Sequence, residues 1–148
     1  MEQLLLHTLQ HIAQQMPQIA LVDEDTGQLE SNEDTYPVTF PCVLVGNTEI
    51  RWEDLSHSGA QLGEGTFVVR LAIDCYHDTH IGSNQEQEMV TRQQMAAELY
   101  RTLQGKEFVD HISPLTRTRS RDYTLPGAIK VYEQMYSFEI QDTTAMPE

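Results

Sequence analysis

Four stretches carry side chains whose type and spacing could support chemistry. Cys75-Tyr76-His77-Asp78-Thr79-His80 sets a thiol and two imidazoles close together. On a strand Cys75 and His77 share a face, and His80 can fold back from a following turn. Such a set suits zinc, yet no fourth ligand is evident nearby. The simpler reading is a core cysteine with two histidines at a polar strand end. The second stretch, Asp23 to Asp34, holds six carboxylates and no basic residue. Tested as a calcium loop it fails: counted from Asp23, Asp25 fits position 3, but Gly27 falls at 5 and Asp34 at 12, where glycine belongs at 6 and glutamate at 12. A solvated acidic loop or arm over 23–35 is expected instead. The third, Gly59 to Gly65, lacks the following helix that a phosphate-binding loop needs. No strand-elbow serine or HExxH pattern occurs, so neither an enzyme nor a cofactor is expected.

The fourth stretch is the most distinctive. Arg117, Arg119 and Arg121 are three of nine basic residues, set at alternate positions in a chain with 23 acids and a formal charge of -14. On a regular strand all three share one face. Such a row can guard a sheet edge against aggregation. It can also dock on the acidic surface of another copy, since residues 1–50 hold eight acids and no Lys or Arg. Head-to-tail contacts of this kind make rings when they close. The charge of such a contact adds little affinity, so apolar area must come from elsewhere, and the expected source is Trp52 on its hairpin or the projecting end of the 66–77 strand. Arg117, Arg119, Arg121 and Trp52 are thus the candidate subunit interface.

The same charge balance excludes tight nucleic-acid binding, which needs a cationic surface to displace phosphate counterions. Anionic membranes are disfavoured likewise, and no apolar run approaches the roughly 20 residues of a membrane-spanning helix. The start, Met1-Glu2-Gln3-Leu4, has no basic residue ahead of its apolar patch, so no signal peptide is expected. Cys42 and Cys75 lie in apolar strand-like stretches and read as buried free thiols.

These residues need elements to position them. Leu5, Leu6, Leu9, Ile12, Ala13 and Met16 follow a helical spacing over 3–16, ended by Pro17. Ile19 to Val22 is a short extended segment. Residues 40–53 read as a hairpin turning at Gly46-Asn47, with Ile50 and Trp52 on one face, and 54–65 as a loop. The strongest strand runs over 66–77. Phe67, Val69, Leu71, Ile73 and Cys75 line its core face, with Thr66, Arg70, Asp74 and Tyr76 on the other. A helix over 84–104 opens with Ser83 and Glu86 in a capping-box pattern and closes at Gly105. Strands follow over 115–122 and 129–140, joined through Pro126-Gly127, and residues 142–148 are expected to be a disordered tail. The length suits one domain, 1–148, which buries roughly 70% of its unfolded surface. The predicted class is α+β: a mostly antiparallel sheet packed by two helices, in the order α-β-β-β-α-β-β.

That layout resembles the tail terminator and tail completion (head–tail joining) proteins of long-tailed phages. The resemblance spans roughly 3–141. It rests on the helix Leu4–Met16, the segment Phe40-Pro41-Cys42-Val43-Leu44-Val45, and the long strand Phe67 to Tyr76 ending in Ile73-Asp74-Cys75-Tyr76. A helix with the small-residue centre Gln94-Met95-Ala96-Ala97-Glu98-Leu99 follows, then the closing strand Val131 to Ile140. The acidity of 23–34 and the arginine row depart from the family pattern. The resemblance implies a non-enzymatic building block of a phage or prophage. Its partners would be copies of itself in a ring, commonly a hexamer, and tail-tube or neck proteins. Its place would be the cytoplasm during assembly, then the virion tail or neck. The competing expectation is a small metal- or ligand-binding α+β domain, or an enzyme, using Cys75, His77 and His80.

Overall fold

The computed structural model describes residues 2–31, 35–75, 80–82 and 86–147. Helix α1 spans Glu2–Gln15 and α2 Glu86–Leu103. Strands β1 (Leu21–Glu24), β2 (Cys42–Asp54), β3 (Gln61–Asp74), β4 (Thr116–Leu125) and β5 (Ile129–Asp142) form one sheet in the spatial order β1-β2-β3-β5-β4. All pairs are antiparallel except β1 with β2. This is the expected α+β class and chain order.

Both helices cover one face of the sheet. Val43, Val45, Phe67, Val69, Leu71, Tyr136, Phe138 and Ile140 point up from it into a core shared with Leu4, Ile12, Leu99 and Leu103. Strand alternation explains the choice, since these residues stand at alternate positions of β2, β3 and β5. Ile73 joins this core partly buried. In α1 the buried stripe is Leu4, Thr8 and Ile12, continued by Met16. Leu6 and Ala13, expected on that face, are exposed. The helix is rotated because Thr8 can be buried, its hydroxyl donating to the Leu4 carbonyl at 2.7 Å. At the start of α2, Glu86 accepts a hydrogen bond from the Gly82 amide at 2.7 Å; Ser83 lies outside the described residues. Gly105 takes φ +73° past the end of α2, the left-handed cap its type predicts.

A second core lies on the opposite face. Cys42, Leu44, Ala72, Ile129 and Val131 are covered there by Leu29, with Tyr36, Val38 and Phe40 packed alongside. The acidic stretch is therefore only partly solvated. Its first residues complete β1, Asp25 is buried, and Leu29 sits in a turn of 3-10 helix over Gln28–Glu30.

Two boundaries differ from the sequence expectation. Gly46-Asn47 is a β-bulge within a single strand β2, and no hairpin turns there: the register shifts between Gly46 and Glu49. A Cβ on Gly46 would come 3.2 Å from the Asp25 backbone carbonyl, so the small residue admits a crossing chain, and Asn47 absorbs the bulge at φ 55°. Gly63 and Gly65, expected in a loop, lie inside β3, which starts at Gln61. A Cβ on Gly63 would meet Ile50, Ile140 and Trp52 within 2.9 Å, and one on Gly65 would overlap the Phe138 ring. Glycine here makes a floor on which larger side chains of neighbouring strands lie. The real turn of this hairpin is residues 55–60. At the C-terminal end, Asp142 closes β5 and accepts from the Thr144 amide at 2.8 Å, while Ala145 lies against Gly59.

Candidate assembly interface

The arginine row does not keep to one face. Arg117 pairs with Tyr136 and Arg119 with Met135, so a bulge at Thr118 flips the alternation. Arg117 therefore sits on the helix side, its guanidinium 3.7 Å from the centre of the Tyr100 ring, and its backbone amide donates to Gln104 Oε1 at 2.8 Å. Arg119 and Arg121 point to the opposite face. Arg121 is committed within the chain, ion-paired with Glu133 and 5.0 Å from the centre of the Tyr123 ring. Arg119 has no partner among the described residues. Of the three, it alone is left for an outside group.

Strand β4 is one edge of the sheet, and its residues 116–122 are exposed. A second free edge lies on the far side. β1 covers β2 only from Cys42 to Val45, so the distal part of β2, 49–54, has β3 on one side and no strand among the described residues on the other. This arm carries Glu49, Glu53 and Asp54, with Arg51 bound to Glu64 at 3.0 Å. Asp54 accepts from Gln61 at 2.8 Å, whereas Glu49 and Glu53 have no partner among the described residues. Trp52 lies on the arm's helix side, 39% exposed, with Leu55 at the tip 51% exposed. Thr66, Ser137 and Glu64 floor a groove of about 830 Å³ beside the arm. The structure thus keeps Trp52 exposed on a projecting hairpin but sets it far from the arginines, on the opposite edge.

Sequence reasoning missed the ion network behind the sheet, in which Arg70 and Asp25 are buried and Glu30 lies at the surface. Arg70 donates through Nε to Asp25 Oδ2 at 2.8 Å, and through its terminal nitrogens to both Glu30 oxygens at 2.7 and 3.2 Å and to the Tyr123 hydroxyl at 3.3 Å. Burial works to lower the Arg70 pKa, but its hydrogen bonds to Glu30 and Tyr123 and the Asp25 charge outweigh it, and the net direction is up. The hydrogen bond from Arg70 holds Glu30 below its ordinary value. The available signal was a single arginine on the back face of an otherwise apolar strand, in a chain short of cations.

The zinc set is only partly described. Cys75 is half-buried at the end of β3, and Arg92 donates to its sulfur at 2.8 Å. His80 is exposed in a turn, and His77 lies outside the described residues. Among the described residues no group of three or more His, Cys, Asp or Glu is placed to hold a metal ion. Cys42 and Cys75 are both free, Cys42 fully buried. No helix among the described residues is long and apolar enough to cross a membrane.

No family model matches the sequence, and no curated protein does. Among solved structures, the fold is similar to that of a chain from the virion of a native gene transfer agent particle. The TM-score is 0.66 over 95% of this chain and 96% of that one, at 12% identity. At that identity the likeness is one of fold.

Proposed function

We propose that this protein is a non-enzymatic building block of a phage or phage-like virion. In this reading it forms a ring, a hexamer by resemblance to tail terminator and tail completion proteins, at the tail-tube end or the head–tail joint. The observation that carries the reading is the fold shared with a gene transfer agent virion chain along nearly the full length of both. The surface agrees with it. The free sheet edges and the exposed Trp52 arm suit a part made to be joined to others, and a formal charge of -14 suits a wall past which DNA slides. The protein would be made in the cytoplasm and end in the virion tail or neck, among tail-tube or neck proteins.

Negative-stain imaging of the purified protein, alone and with purified tail tubes, tests the ring. Rings with a central channel are the expected result. Their absence in both preparations overturns the ring. Mass spectrometry of particles released by the encoding cells tests virion membership independently, and a particle lacking the chain overturns that.

A further inference from the structure

We propose that copies of this chain join by continuing the sheet: β4 of one copy pairs with the distal edge of β2, residues 49–54, of the next. This rests on the reading of the protein as a self-assembling virion part and names the contact.

Four features support it. Both edges are open, and unpaired strand edges are templates for pairing. Next, their uncommitted charges are opposite. Arg119 is the free cation on β4, while Glu49 and Glu53 are the free carboxylates on β2, among the described residues. Joining β4 to β4, or β2 to β2, would set like charges together, so charge selects the head-to-tail contact, the type that closes into rings.

The faces also match. Arg119 pairs with Met135, on the face away from the helices. Glu49 pairs with Thr66 and Glu53 with Leu62, which alternate with Phe67 and so lie on that same face. In a sheet continued from copy to copy, Arg119 and the two glutamates come out on one side, within reach of one another. Strand direction agrees as well. β2, β3, β5 and β4 are successively antiparallel, so β4 runs opposite to β2. Through β5 and β3, Arg119 stands level with Gly46, so the next copy must be displaced along the strands to bring β4 against 49–54. Rotation about an axis tilted from the strands does this and keeps β2 antiparallel to β4, the stronger pairing. The bulge at Thr118 serves this arrangement by turning Arg117 to the helices and Arg119 to the contact face.

The test is sedimentation velocity at the highest soluble concentration on wild type, Arg119→Glu, the double variant Glu49→Arg/Glu53→Arg, and an equimolar mixture of the two variants. Wild type should self-associate. Each variant alone should associate about tenfold more weakly, because reversal turns attraction into repulsion. The mixture should recover, since every contact in an alternating ring again joins opposite charges. Circular dichroism confirms that each variant is folded. In the wild-type assembly, hydrogen exchange should slow at the backbone amides of 49–54 and 119–125. Assemblies whose edge amides exchange as fast as in the monomer overturn the edge contact and leave the ring standing. Variants that assemble as well as wild type show that Arg119 only guards the edge. A wild type that stays monomeric overturns the proposal, while virion membership is decided separately by particle composition.

Discussion

Arg70 Nη2 and Asp25 Oδ2 lie 2.7 Å apart behind the sheet, with the two side chains 7% and 2% exposed. This pair, with Glu30, fastens the acidic segment after β1 across the back of β3. Removing one member of a buried pair leaves an uncompensated charge and costs about 3–5 kcal/mol. Arg70→Met should therefore lower stability by that amount in urea melts, and adding Asp25→Leu should recover most of it. A single variant within about 1 kcal/mol of wild type would mean that the pair is not buried in solution.

Acid should loosen the same segment. The Glu30 pKa is lowered in the fold by its bond to Arg70. A lowered carboxyl pKa stabilises the fold above the unfolded value, and that contribution is lost as pH falls through the folded value. Stability measured from neutral pH downward should fall less steeply in Glu30→Gln than in wild type over the carboxylate range. Equal slopes would show that Glu30 does not hold Arg70.

The core makes two predictions of opposite sense in volume. Leu71 is fully buried beneath the helices, and Leu71→Ala should cost about 2–5 kcal/mol. Gly65→Ala adds a methyl group where the Phe138 ring already lies, and overpacking of this kind costs about 1–3 kcal/mol. Combining Gly65→Ala with Phe138→Leu should cost less than the two separate losses together. Simple additivity in the denaturant midpoints would place the ring elsewhere.

The two thiols should react in sequence. Burial pushes the Cys42 thiol up to about 11, and the side chain has no exposure. Cys75 is only half-buried. With a chromogenic disulfide at pH near 8, Cys75 should react in the native protein and Cys42 only on unfolding, because the thiolate is the reacting species. Simultaneous labelling of both would show that the back core opens readily.

Duplex DNA should not bind at physiological salt. The protein carries 23 acids against nine bases, and among the arginines of the row only Arg119 is uncommitted. A gel-shift affinity tighter than about 1 µM would exceed ordinary nonspecific binding and contradict a wall that DNA slides past.

Much of the fold was legible in the sequence because local patterns encode it. Alternating apolar residues in 66–74 and 129–140 mark strands that bury one face beneath the helices, and the spacing in 3–16 marks a helix. Pro126-Gly127 and Gly105 stand where a chain must turn or a helix must stop. Glycine was read least well, since at Gly46, Gly63 and Gly65 its meaning comes from what crosses or lies over it. Only the tertiary structure decided the rest. A three-arginine alternation becomes two faces through one bulged residue, and nothing in residues 116–122 announces it. The Asp25–Arg70 pair joins residues 45 apart. Which strand edges remain open depends on how far β1 reaches along β2. The hydrophobic pattern is a local property of the chain and so survives in the sequence. Register, edge exposure and ion pairing are relations between distant segments, and they exist only once the sheet has formed.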